Sequence, residues 1–180
     1  DNVITNIKEN LNKKKRTTKL VMKNSGVDMN EINSTEKLDA LVSQMLETIE
    51  QSATDYELKE THDFVLILPK QYWDVGSRNK WIRVGWALKN TSIKLLPTWL
   101  KFSSQSKEFR YDQIPELIEQ WNQFNYDNPD GLTSRSIMYW AKIDNPMEYK
   151  KVREATISYY MEETILHATE WDFAQVLYQM

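Results

Sequence analysis

Six cations crowd one stretch of this chain: Arg78, Lys80, Arg83, Lys89, Lys94 and Lys101. Three tryptophans, Trp81, Trp86 and Trp99, are interleaved with them. Cationic side chains beside aromatic surface are the means by which proteins hold nucleic acid: the cations meet phosphates and the rings offer stacking faces. Arg135, in the first turn of a predicted short helix, adds one more phosphate-contacting group next to free backbone N–H donors. Residues 70–111 hold nine Lys/Arg against two Asp/Glu, whereas the acidic segments on either side, 31–69 and 112–148, are reversed at two against nine and two against seven. A net charge of −3 conceals that segregation. The acidic flanks also open a plainer reading, in which the cations serve as ion-pair partners within the fold. For the tryptophans, burial in a core is the default for large rings at apolar helix positions. Trp81, Trp121 and Trp140 are expected there.

Catalytic chemistry has less to stand on. The four glycines are isolated, so there is no G-x-x-x-x-G-K-[ST] phosphate loop. His62 and His167 lie far apart and have no ligand partner at helical spacing, and they read as surface or interface residues. Asp55 and Glu57 form a D-x-E pair at a helix start, where acids favour the helix dipole, so a capping role is preferred over a metal site. With no cysteine there is neither a disulfide framework nor a thiolate metal site. No catalytic, cofactor or metal residue can be assigned, and no apolar run reaches the ~20 residues that span a bilayer.

The elements that must position these residues read as helices throughout; no stretch alternates with period two. The expected fold is all-α, a small multi-helix domain with an amphipathic N-terminal helix and a flexible N-terminal linker. Residues 1–33, rich in Asn and Lys with the run "KKKRTTK", read as a largely disordered linker. Residues 34–55 carry a stripe of Leu38, Leu41, Val42, Met45, Leu46 and Ile49, with Asn33 as cap and Glu36 completing a capping box. Such a stripe needs a partner. Further helices are expected at about 57–68, 77–90, 95–104, 112–124 and 133–142, with Ser77, Asp112 and Thr133 as caps and 125–131 ("NYDNPDG") as a loop. Pro97 belongs in a first turn, and Gly85, costly in mid-helix, fits a close helix crossing. A helix from Asn145–Pro146 to about Ile165 and another capped by Thr169 complete the expectation. The chain starts without a methionine and stops inside an apolar pattern, and so reads as a piece of something longer.

The blocks "LILPKQYWDVGSRNKWIRVGWALKNTS", "LLPTWLKFSSQS", "ELIEQWNQF" and "LTSRSIMYWAK" follow in order with short spacers. That succession, over about residues 56–150, resembles the type-2 primase C-terminal domain of helicase-primases from nucleocytoplasmic large DNA viruses of the poxvirus, asfarvirus and mimivirus type. "TEWDFAQVLYQM", within 151–180, resembles the opening of the domain that precedes the superfamily III helicase core. The resemblance implies a parent with an archaeo-eukaryotic-type primase upstream and a hexameric ATPase downstream, acting in the host cytoplasm with ATP and Mg as the parent's cofactors and none in this segment. Its implied partners are DNA, as a single strand or primer–template, the flanking primase and helicase domains, and further copies through the helicase module, with no membrane. Three roles stay open: a connector whose basic face contacts DNA, a protein-docking or oligomerisation module, and a helix-turn-helix regulator with "SRSIMYWAK" as its reading helix.

Overall fold

The computed structural model describes residues 31–50, 55–124 and 131–179. The expected linker, apart from residues 31–33, and the expected loop, apart from Gly131, lie outside the described residues. Seven α-helices and three short 3-10 turns make up the described chain, with no strand among the described residues, so the fold is all-α.

Helix α1 (Thr35–Glu50) buries Leu38, Leu41, Val42, Met45 and Ile49, the stripe expected from its spacing. Its cap is not Asn33 but Ser34, whose hydroxyl accepts from the Lys37 N–H at 3.4 Å. Helix α2 (Tyr56–Leu66) stops short of Pro69, whose backbone is extended. A 3-10 turn at Lys70–Tyr72 and Gly76, at φ +83°, lead into α3 (Arg78–Thr91). Ser77 holds the N-cap position there, but its side chain makes no capping bond. Helix α4 (Leu96–Ser103) has Pro97 in its first turn, where the missing N–H costs nothing. Before α5 (Ile114–Gln123), Asp112 lies within a 3-10 turn and pairs with Arg110; Gln113 takes the N-cap position, so Asp112 is not the cap. Helix α6 (Ser134–Asp144) begins after Thr133, whose backbone N–H donates to Ser136 Oγ at 3.1 Å.

One expectation fails outright. The two C-terminal helices are a single unbroken α7, Pro146–Gln179. Thr169 does not cap; its hydroxyl donates back to the Ile165 carbonyl at 2.9 Å, a bond made inside a helix.

Helices α1 and α2 pack on α4, α3 lies against α4 and α6, α5 closes on α4, and α7 crosses α2 and α6. At the centre, Trp99 and Trp121 are wholly buried, with Trp81 stacked on Trp99 at a centroid distance of 4.8 Å. Gly85 faces them. A Cβ there would come within 2.5 Å of Phe124 and 2.8 Å of the Trp99 ring nitrogen, so the close crossing demands glycine. Trp121 is the core residue expected; Trp81 and Trp140 are only half-buried. Trp81 donates its ring N–H to Ser103 Oγ at 2.8 Å, which explains its position at the edge. His62, expected at the surface or an interface, is buried between α1 and α4, where Nδ1 shares a 2.8 Å hydrogen bond with Thr98 Oγ1. Burial lowers its pKa to about 4, so the ring is neutral at pH 7.

Candidate nucleic-acid interface

The seven cations do not converge on one surface. Lys89 is 3% exposed, and its ammonium donates to the carbonyls of Trp121 (2.5 Å), Phe124 (2.9 Å) and Asn122 (3.0 Å). Those carbonyls end α5, which has no basic residue in its own last turn. Lys89 supplies from a different helix the positive charge that a C-terminus attracts. It is a helix cap, and its assignment to a DNA-contacting face is corrected on that ground. Lys94 pairs with Asp55 at 2.5 Å, and Lys101 with Asp39. Both carboxylates come from the acidic segment 31–69, so for these two cations the ion-pair reading holds. Asp55 spends its carboxylate on Lys94 and makes no side-chain cap, while Glu57 accepts from Ser134 Oγ at 3.0 Å.

Arg78 is exposed but separate. Five residues before Arg83 on the same helix, it points about 140° away. It lines a cleft with Trp73, Trp81, Phe109, Glu108 and Glu116, a setting of mixed charge.

Lys80 and Arg83 share a locale on the α3 side of α6. The Lys80 ammonium lies 5.1 Å from the Tyr72 ring centroid and hydrogen-bonds Gln71 at 3.0 Å; the Arg83 guanidinium lies 5.6 Å from the Trp140 ring. Tyr72 and Trp140 are neighbours at 5.9 Å, and the Tyr72 hydroxyl donates to Asp144 at 2.5 Å. Burial and that carboxylate both push the Tyr72 phenol upward in pKa, so it stays a donor.

From Trp140 the exposed arc of α6 continues outward. Ile137 and Ala141 face the core, and the opposite side carries Tyr139 at 61% and Ile143 at 59% exposure. Arg135 and Lys142 form the far rim, with Arg135 about 140° round the helix from Trp140. Neither they nor Lys80 have a carboxylate partner among the described residues. The only acid on α6 is Asp144, already engaged by Tyr72. The arrangement is a band of two aromatic rings and one aliphatic side chain, with cations along both rims. Tyr139 and Lys142 were not singled out from the sequence. Their signal was present: Arg135, Tyr139, Lys142 and Ile143 recur at three- and four-residue spacing off the Ile137–Ala141 side.

Among the described residues no cluster of three or more metal-ligating side chains occurs, and no helix is long and apolar enough to cross a membrane.

Residues 62–141 match the model of the family Primase C terminal 2 (PriCT-2). Over 101 residues, 56% of the chain, it is 34% identical to a protein named as a candidate primase of African swine fever virus, Warthog/Namibia isolate. It is 33% identical over the same length to the counterpart from the Pig/Kenya isolate. The chain spans about a tenth of the length of these relatives, matching 10% of each. No solved structure matches. The PriCT-2 match runs from α2 to α6 and includes Tyr72, Lys80, Arg83, Arg135, Tyr139 and Trp140.

Proposed function

We propose that this chain is a non-catalytic segment of a viral DNA-replication helicase-primase, joining primase and ATP-dependent helicase modules, and that the rims of α6 hold DNA. ATP, magnesium and catalysis belong to the flanking modules in this reading, and the host cytoplasm is its place of action. The observation that carries it is the division among the cations. Lys94 and Lys101 are paired with carboxylates and Lys89 is held by three carbonyls inside the fold, whereas Lys80 and Arg135 flank an aromatic band and meet no carboxylate among the described residues. Backbone phosphate contacts bind without regard to sequence, as a protein travelling along any template requires.

Charge reversal of Lys80, Arg83 and Arg135 to Glu in the 180-residue chain tests this. Anisotropy titrations against a fluorescent DNA at several salt concentrations should show weakened binding and a log–log salt slope shallower by about 2, since each lost phosphate contact removes ~0.7–0.9. The melting temperature should hold, because all three side chains are exposed. Unchanged affinity would leave the docking role as the better reading. One feature favours that second role: α7 exposes Ile157, Met161, Ile165 and Trp171, apolar groups at helical spacing beyond the body of the domain.

A further inference from the structure

Resting on the DNA-contacting role of α6, we infer that this surface takes single-stranded nucleic acid, with Tyr139 as the platform on which an unpaired base stacks. Tyr139, 61% exposed at the middle of the helix, and Ile143 one turn on, nearly as open, make an adjoining apolar pair rather than a lone surface residue, the kind of patch that marks a binding surface. What could cover them is restricted by charge. Arg135 lies one turn before Tyr139 and Lys142 one turn after, Arg83 stands over Trp140 on the opposite rim, and the one acid of the helix is bound by Tyr72. An apolar protein helix would leave Arg135 and Lys142 facing nothing of opposite sign. A single strand satisfies both parts at once, since each nucleotide brings a π-face for the ring and a phosphate for the rim. A duplex offers the phosphates but keeps its bases stacked on one another, out of reach of Tyr139.

The stacking site and the phosphate rims have separate signatures. An unstructured oligodeoxythymidylate and a blunt DNA hairpin closed by a base-free linker serve as probes for the intact chain and for Tyr139→Ala, Tyr139→Trp and the triple charge reversal. Tyr139→Ala should weaken oligodeoxythymidylate binding about tenfold, the loss typical of one stacked base. Hairpin binding, the salt slope and the melting temperature should not change. Tyr139→Trp should restore binding. If Tyr139→Ala binds both probes like the parent chain while the charge reversal weakens both, the DNA-contacting role survives and the stacking inference is wrong. Equal losses on strand and hairpin also overturn it, because Tyr139 would then not be reading unpaired bases. If the charge reversal has no effect on either probe, the interface itself is refuted.

Discussion

Lys89 and Lys80 sit nine positions apart on one helix and behave as opposites. Lys80 reaches across a ring into solvent, whereas Lys89 ends in a cage of three carbonyls at the close of α5. Lys89→Met keeps the aliphatic stem and removes the ammonium, leaving three buried acceptors without their donor. A destabilisation of about 2–4 kcal/mol is expected, read as a lowered urea midpoint, with DNA affinity unchanged wherever the protein is folded. Lys80→Met should give the reverse pattern. A Lys89→Met protein of full stability and weakened DNA binding would restore Lys89 to the contact face. Part of this was legible beforehand, because Lys89 falls one turn after Gly85, and the glycine marks the side of α3 pressed against aromatic rings. The carbonyls themselves were not. They lie more than thirty residues downstream (|i−j| is 32 to Trp121), and helix spacing says nothing about which helix end arrives opposite.

Among the elements, α1 was the most readable: its apolar stripe has one period and one side, and five of the six residues are buried. Its role is less peripheral than the stripe alone suggested. Leu38 and Ile49 have no exposed surface, and the helix covers both α2 and α4, so it is part of the same core as the segment 62–141 that matches the PriCT-2 model. A chain beginning at residue 54 loses Ile32 and the five buried side chains of α1 at ~1.5–3 kcal/mol each, a sum of the same order as a domain's whole stability. It should therefore fail to show a cooperative thermal transition and should bind a hydrophobic dye. A sharp transition at the parent's temperature would show that α1 is dispensable. Helix α7 was the least readable element. A threonine hydroxyl can bond forward to free N–H groups at a helix start or back to a carbonyl within a helix, and the residue is the same in both cases. Thr169 takes the second course, so a local capping pattern divided what is one helix.

Acidification acts on the molecule as a whole through His62, which joins α2 to α4 beside Met45 of α1. Its folded pKa, about 4, is below the unfolded value of 6.5, so the unfolded chain takes up the proton more readily. The contribution to stability is complete above pH 6.5 and declines as pH falls towards 4, by about 3 kcal/mol over the window. Urea midpoints at pH 7 and pH 4.5 should differ more for the parent chain than for His62→Gln, which has no proton to gain there. Equal differences would mean that His62 is not the linked group. The same body anchors α7 along its first part, through the Arg153–Glu60 ion pair and the stacking of Tyr56 on Tyr159, and Thr156 is its last buried residue among those whose side chains are described. From there the helix continues to Gln179, a reach of roughly 35 Å at ~1.5 Å per residue. Such a helix is a lever whose fulcrum is the α2–α6 surface. A tilt of about 10° at that fulcrum would sweep the far end through roughly 6 Å by the same rise per residue. Because the fulcrum includes α6, a small shift of that helix would be magnified at the lever's tip.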